Sequence, residues 1–411
     1  MNRQIDTRAQ SDSSAQNNET LASGRDSVQI QSESQLTFLE AASIIVGHGV
    51  GAGILAVPYL ASRNTWWDFL LILAVAYCIN LLLHLMIAEL SLNNGGAQFV
   101  KCFENELFIG SFKKTAAWIV FAFLGFSVLC NVASFITGSA AVFASWFSLP
   151  TWAGMLLYYA FAALVVFFGM KIVGICEKYS VLAIIVVIGI LFAATLASEM
   201  SALPKTFIAS SNVMALYSTV AFSLSAVMSV PQVVKGVGGD RKKIVRAIAA
   251  GTGVNAFLII AVTFMTLLGA GAAITKNGAL VDLSTHLGGW VSVVGYIFSL
   301  LALSTSFWAN TLNMRDIIAE QTKWHLKLCW LLATLPCLVL ALLGVQSFVG
   351  FTRLAGIIQV LTGIGIIIAY NRSRKRTEES HICGRFGSIA FQIVVIAGSL
   401  VATIGSVLVV R

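Results

Sequence analysis

The first long apolar segment of the chain contains the stretch Gly47-His48-Gly49-Val50-Gly51-Ala52-Gly53-Ile54-Leu55-Ala56-Val57-Pro58. Glycine occupies every second position from 47 to 53, and a proline follows. Both residues weaken a helix interior, and a backbone group freed inside a membrane is costly unless it finds a partner. We therefore expect a membrane helix that breaks near its middle, where free amides and carbonyls bind a zwitterion and its coupling ion.

The composition is typical of a polytopic membrane protein. Of 411 residues, 58% are hydrophobic and 11% are charged, whereas a soluble domain carries about 25% charged residues. Residues 1–37 differ, since they are rich in Ser, Gln, Asn and Arg and contain no apolar run, which predicts a disordered tail. The seven cysteines are odd in number and form no CxxC motif. They predict neither a disulfide framework nor a metal site.

Eleven apolar runs are long enough to cross a bilayer, which takes about 17–25 residues each. With the N-terminus in the cytoplasm, 21 of the 26 Lys and Arg residues fall on the cytoplasmic side. The positive-inside rule therefore predicts a multi-pass protein of the cytoplasmic (inner) membrane, with its C-terminus outside. The net charge of +8 then reflects orientation, so we expect a lipid bilayer and no nucleic acid as partner. The expected spans are 40–62, 68–92, 116–147, 151–170, 177–198, 212–235, 244–274, 289–318, 327–346, 350–370 and 387–410.

An internal repeat supports this organisation. The sequence Ile54-Leu55-Ala56-Val57-Pro58 in span 1 returns as Val227-Met228-Ser229-Val230-Pro231 in span 6. Because five spans separate the two copies, they run in opposite directions across the membrane. Matching interruptions in opposed helices indicate an inverted repeat.

The two halves of span 1 offer different groups to a ligand. The outer half is expected to begin near Ile54, where its N-terminal amides suit a substrate carboxylate. The inner half is expected to end near Val50, where its last carbonyls, including that of Gly47, suit a cation. The alternative is that Gly47 and Gly51 form a helix-packing motif.

Hydroxyl residues mark two further spans. Ser223-Leu224-Ser225-Ala226 precedes the repeat in span 6, and its free carbonyls and hydroxyls could hold the α-ammonium group or the side chain of a substrate. The alternative is hydroxyl bonding to the preceding turn. Span 8 contains Ser304-Thr305-Ser306, whose oxygens suit Na⁺ or, alternatively, bond neighbouring helices.

Few ionisable residues fall within the spans. His48 lies inside the broken stretch and is either a proton carrier or a neutral histidine that bonds a neighbouring helix. His84 and Glu89 lie on different faces of span 2. No GxSxG, HExxH or P-loop signature occurs, so we expect no enzyme. Three asparagines are expected to form structural bonds between helices: Asn131, Asn255 and Asn310.

Three motifs together resemble one known family. They are Gly51 to Pro58, Ser223 to Pro231 followed by Gly238-Gly239-Asp240-Arg241-Lys242-Lys243, and Glu89-Leu90-Ser91-Leu92. Residues 38–410 are similar to the amino acid/auxin permease group, which includes the bacterial hydroxy and aromatic amino-acid permeases. That group belongs to the amino acid–polyamine–organocation superfamily.

The resemblance implies an all-α polytopic membrane protein with eleven transmembrane helices. They form a five-plus-five inverted repeat with discontinuous helices 1 and 6 and one extra helix. The implied activity is symport of a neutral amino acid coupled to H⁺ or Na⁺, without a cofactor. Sodium-coupled members often have an asparagine near position 47, where this chain has glycine, so both ions stay open. The expected parts are a tail (1–37), two repeats (38–200 and 201–371) and a basic loop with helix eleven (372–411).

The resemblance also assigns the binding residues. Substrate is expected around Gly51, Ala52 and Gly53 and at the span 6 break, and a cation between the first helix and the hydroxyls of span 8. A sensor with a transporter-like fold, an exchanger of related amino acids and a passive channel remain alternatives, and the oligomeric state stays open. The residues expected to bind substrate or ion are Gly47, His48, Val50, Gly51, Ala52, Gly53, Ser223, Leu224, Ser225, Ala226, Thr305 and Ser306.

Overall fold

The computed structural model describes residues 35–51, 53–205, 210–271, 274–275, 279–344, 363–377 and 381–408, and these ranges contain helices and no strand. A 3₁₀ turn covers Val227–Ser229. In chain order the helices are α1 (Phe38–Gly49), α2 (Gly53–Ser62), α3 (Trp66–Asn93), α4 (Phe99–Glu106), α5 (Lys113–Phe147), α6 (Thr151–Phe167), α7 (Met170–Leu196), α8 (Ser210–Leu224), α9 (Val230–Gly236), α10 (Arg241–Ala270), α11 (Ala279–Leu287), α12 (Trp290–Thr322), α13 (Leu326–Leu342), α14 (363–376) and α15 (Ile389–Val407).

The helices have the lengths and composition of membrane spans. Among the described residues, seven spans are long and apolar enough to cross a bilayer, and the bent pair α1–α2 makes an eighth. Two further apolar helices, α6 and α13, have 17 residues each. Helix α14 contains the described part of the predicted tenth span, whose remainder lies outside the described residues. Every predicted span therefore contains a helix, and the expected multi-pass all-α fold is confirmed.

Polar residues set several helix starts. Thr37 and Glu40 form a reciprocal capping box at α1, and Thr65 forms another at α3. At α10 the carboxylate of Asp240 accepts the backbone N–H groups of Lys242 (3.0 Å) and Lys243 (3.1 Å). These two bonds hold the pKa of Asp240 below its ordinary value, and the bond from Lys243 has the larger effect. The loops therefore fix where the membrane helices begin.

Packed structure begins before the first membrane helix. Leu36 is buried, and its N–H donates to the carbonyl oxygen of Gly236 at 2.7 Å. Lys171 donates to the carbonyl oxygen of Gln35 and forms an ion pair with Glu40 at 2.6 Å. The last residues of the segment predicted as a tail, 35–37, therefore pack against α7 and the end of α9. The four-part division of the chain stays a prediction.

Two clusters of buried apolar side chains fill the interior. Leu224 belongs to one cluster and Ala226 to the other, so the boundary crosses the break in the sixth span. In α12 the same boundary falls between Ala302 and Leu303. The polar groups described next therefore lie at a level where the two apolar clusters meet.

Candidate binding site at the two broken spans

The first span is interrupted between α1 and α2, whose axes differ in direction by 56°. The N–H of Gly51 donates to the carbonyl oxygen of Gly49 at 2.9 Å, and the N–H of Ile54 donates to that of Gly51 at 3.3 Å. Neither amide reaches back four residues, so the carbonyls of Gly47 and Val50 lose their helical partners. The break predicted from the glycines is confirmed. Of the residues assigned to it, Ala52 lies outside the described part of the chain.

The sixth span is interrupted at the predicted place. Helix α8 ends at Leu224, and the N–H of Ser225 turns back to the carbonyl oxygen of Phe222 at 3.1 Å. The N–H of Ala226 donates to Nε2 of His84 at 3.0 Å. His84 is fully buried on α3, so a neighbouring helix satisfies an amide that the break has freed. The sequence singled out His84 as an ionisable residue but gave it no such role.

The two breaks touch each other. A Cβ atom on Gly53 would lie 2.7 Å from Oγ of Ser223, and one on Gly49 would lie 3.0 Å from the carbonyl oxygen of Ser223. Only glycine allows backbones to approach this closely. The hydroxyl of Ser223 donates to the carbonyl oxygen of Thr219 at 2.8 Å, which is the back-bonding considered as its alternative role.

The hydroxyls of α12 lie beside the first break. Thr305 and Ser306 are buried. A Cβ atom on Gly47 would lie 2.9 Å from Cβ of Thr305, and one on Gly51 would lie 3.5 Å from Oγ of Ser306. The Thr305 hydroxyl donates to the carbonyl oxygen of Ala302 at 3.0 Å, which leaves its oxygen free to accept another bond or bind a cation. The structure thus brings together the helix break and the hydroxyls that the sequence assigned to one ion.

Two buried acceptors beside the first break were not assigned to the site from the sequence. Glu177 on α7 is fully buried, and neither of its carboxyl oxygens has a hydrogen-bond partner among the described residues. A Cβ atom on Gly47 would overlap Oε2 of Glu177. Asn255 on α10 donates to the carbonyl oxygen of Ile45 at 3.3 Å, while its own Oδ1 has no partner in the described chain. A Cβ atom on Gly49 would overlap its Nδ2.

His48 bridges the two broken spans. Its Nδ1 lies 2.9 Å from Oγ of Ser229, which belongs to the 3₁₀ turn of the sixth span. This contact is the interhelical bond that was expected if His48 has a structural role.

Amide side chains anchor α12 to its neighbours. Asn131 donates to Oδ1 of Asn310 at 3.3 Å, as expected of a structural bond between helices. Asn313 donates to Oε1 of Gln98 at 2.8 Å and to the carbonyl oxygen of Met228 at 2.9 Å. The helix with the candidate ion-binding hydroxyls is therefore tied to the turn of the sixth break.

Comparison with known proteins identifies both a family and a fold. The chain matches the tryptophan/tyrosine permease family over residues 34–405. A search of the curated proteins found no match.

Three solved structures share the fold at low sequence identity. One is Mhp1, a nucleobase-cation-symport-1 family transporter with bromovinylhydantoin bound (TM-score 0.64, 13% identity, 90% of this chain and 91% of that chain). Another is MhsT in complex with L-phenylalanine (TM-score 0.62, 14% identity, 91% and 99%). The third is a mutant manganese transporter of Eremococcus coleocola (TM-score 0.54, 13% identity, 90% and 85%).

Proposed function

The chain belongs to the tryptophan/tyrosine permease family, and we propose that it is a secondary active symporter for an aromatic amino acid. As a permease it is a multi-pass membrane transporter and not an enzyme. The observation that most supports the proposal is the contact between two broken spans, at which Gly49 and Gly53 meet Ser223. Broken helices in contact at one level offer donors and acceptors to a small zwitterion.

The amino acid is proposed to bind across the two breaks. The amide groups in the first turn of α2, apart from that of Ile54, which donates to Gly51, would receive its carboxylate, because a helix N-terminus carries positive partial charge. The carbonyls at the end of α8 and Oδ1 of Asn255, which has no partner among the described residues, would receive its ammonium group. This assignment keeps the predicted residues Gly51, Ala52, Gly53 and Ser223, Leu224, Ser225, Ala226, and it adds Asn255.

The coupling ion is proposed to bind on the other side of the first break. The carbonyls of Gly47 and Val50 have lost their helical partners, and Thr305 and Ser306 pack beside Gly47 and Gly51. These are oxygen ligands of the kind that hard cations prefer. Transport of the amino acid is then coupled to the ion when the amino acid and the ion both favour the same closed arrangement of the broken spans.

We also propose that the N-terminus lies in the cytoplasm and that the chain resides in the cell's inner membrane. The distribution of 21 basic residues against 5 supports this orientation. A phosphatase that is active only outside the cytoplasm, fused after Arg411, should then be active. The motifs Gly51 to Pro58 and Ser223 to Pro231 support placement in the amino acid–polyamine–organocation superfamily.

The proposed transport is tested by reconstitution. Purified protein in liposomes should take up tryptophan or tyrosine from a panel of twenty amino acids, with pH and Na⁺ gradients imposed separately. Counterflow of labelled substrate against unlabelled substrate inside should occur without any ion gradient. A passive channel shows no counterflow, and an obligatory exchanger shows no net gradient-driven uptake. A sensor would transport nothing at all.

Gly51→Leu should abolish uptake while the protein still reaches the membrane. A Cβ atom on Gly51 would meet only Oγ of Ser306, at 3.5 Å, so alanine fits here whereas a leucine side chain would fill the proposed site. Overpacking costs about 1–3 kcal/mol, which corresponds to a loss of about 5- to 150-fold, in addition to the blocking of the proposed site. Initial uptake rates, normalised to protein in the membrane, provide the measurement. Gly51→Ala is the matched control, and wild-type uptake by Gly51→Leu would refute the site assignment.

A further inference from the structure

Glu177 is a buried carboxyl group that the proposed site does not yet use. It lies seven residues into α7, about 10 Å along the axis from Met170. Its side chain is fully buried, and both carboxyl oxygens lack a hydrogen-bond partner among the described residues. An unpaired carboxylate in such a place is strongly destabilised, so the group must be neutralised whenever the protein adopts this packing.

The carboxyl packs directly against the proposed ion site. A Cβ atom on Gly47 would lie 2.8 Å from Cδ of Glu177 and 2.9 Å from Cβ of Thr305, so the three residues form one tight group. Gly47 also provides a carbonyl that has lost its helical partner. The absence of a side chain at position 47 therefore makes the space that the carboxyl occupies.

No positive charge in the described chain compensates this carboxyl. The helices packed against α7 are α1, α6, α10 and α12, and the basic residues at the start of α10 lie at its loop end. On α7 itself, Lys178 lies over the ring of Tyr179. Other charged or titratable groups on these helices are engaged elsewhere: Glu40 with Lys171, His48 with Ser229, Arg315 with Asp316, Glu320 with the N–H of Gln98, and Tyr159 with Thr334. Tyr158, whose ring packs on Phe307, and Cys176, next to Glu177 in the chain, carry no positive charge.

We propose that Glu177 binds the coupling ion and that this ion is a proton. The proposal rests on the proposed symport and specifies its ion. The carboxylate accepts a proton from the water to which the site is open, becomes neutral and allows the packing against Gly47 to form. When the site opens to the other side, the proton returns to water and the carboxylate is restored. A proton on Glu177 needs no space of its own beside Gly47 and Thr305. This assignment therefore replaces the set of oxygen ligands considered above for a hard cation with a single carboxyl group.

The test separates ion coupling from substrate binding in proteoliposomes of the full chain. Wild-type protein should show tryptophan counterflow and should accumulate tryptophan when a pH gradient is imposed. Glu177→Gln, which resembles the neutral carboxyl, should keep counterflow but accumulate no tryptophan above equilibrium, and its rate should no longer depend on external pH. Glu104→Gln is the matched control, because that carboxylate lies on α4, outside the proposed site. It forms an ion pair with Lys101, and the distance from its Oε2 to Nζ is 2.8 Å. It should keep both activities.

Each outcome decides between distinct statements. If Glu177→Gln still accumulates tryptophan on a pH gradient, the proposal is overturned. If the wild type responds to a Na⁺ gradient alone and Glu177→Gln loses that response, the group binds sodium and the proton assignment is wrong. His48→Gln should remain proton-driven. If His48→Gln lost coupling while Glu177→Gln kept it, the proton would be assigned to His48. If the wild type shows neither counterflow nor uptake of any amino acid, the proposed symport itself fails.

A second variant covers the case in which Glu177→Gln does not fold. Glu177→Asp keeps a carboxyl but withdraws it from Gly47 by one methylene group. It should remain proton-driven, with the pH of half-maximal uptake shifted relative to the wild type. An unchanged pH profile would contradict a role for Glu177 as the proton-binding group.

Discussion

The first and sixth spans are both broken, but the two breaks are satisfied in different ways. Helices α1 and α2 differ in direction by 56°, whereas residues 212–236 of the sixth span continue as one apolar span through a short interruption. In the first break the carbonyls of Gly47 and Val50 are left without helical partners. In the sixth break the freed N–H of Ala226 already binds His84. The first break therefore offers its groups to ligands, while the protein partly closes the sixth.

The difference follows from the residues around each break. Glycines open the first one, and the space beside them is filled by groups of other helices such as Asn255 and Glu177. At the break in the sixth span, a histidine from α3 accepts the hydrogen bond of a freed backbone N–H. Variants at these positions should therefore have unequal effects, and three of them test the comparison.

The largest effect is expected for Gly49→Val. A Cβ atom at this position would overlap Nδ2 of Asn255 and lie 3.0 Å from the carbonyl oxygen of Ser223, so the two breaks would be forced apart. Overpacking of this kind costs about 1–3 kcal/mol or more, because backbone and buried amide must both move. Thermal unfolding in detergent should show the lowest transition temperature of the three variants, with uptake lost.

The control for Gly49→Val is Gly189→Val on α7. A Cβ atom on Gly189 would have nothing within 4 Å, so this variant introduces the same β-branched residue without the clash. Equal stability of the two variants would show that close contact between the breaks is unnecessary.

His84→Ala should have an intermediate effect. It leaves the buried N–H of Ala226 without its acceptor, which costs about 1–3 kcal/mol. The transition temperature should fall, and uptake should fall with it because the sixth break loses its support. His84→Gln provides another acceptor and should recover part of both. A His84→Ala protein as stable as the wild type would mean that the break does not need this bond.

The smallest effect is expected for Ser223→Ala. Its hydroxyl donates within its own helix to Thr219 at 2.8 Å, and such a local bond contributes about 0.5–1.5 kcal/mol at most. The KM for uptake should change little. Ser139→Ala is the matched control, since that buried hydroxyl donates to the carbonyl oxygen of Ile136 at 2.8 Å. A much larger rise in KM for Ser223→Ala than for Ser139→Ala would show that the Ser223 hydroxyl contacts the substrate.

Much of the site was visible in the sequence because its residues are unusual in an apolar helix. Four glycines mark the first break, and Thr305 and Ser306 stand out as hydroxyls within α12. The structure places Gly47 next to Thr305, while their roles as ligands stay proposals. Glu177 was missed because it lies beside Lys178 at the beginning of a predicted span, where charged residues are ordinary. The predicted span begins at residue 177, whereas α7 begins at Met170, so only the structure places Glu177 seven residues inside the helix.

The sequence by itself determined where the membrane spans lie and where two of them break. Hydropathy and helix propensity act along the chain, so both can be recognised from neighbouring residues. Only the tertiary structure decided which groups meet at the breaks. His84 and Ala226 are 142 residues apart, and Glu177 reaches Gly47 from another helix. Such contacts depend on how helices pack against each other, and no local pattern in the chain specifies that packing.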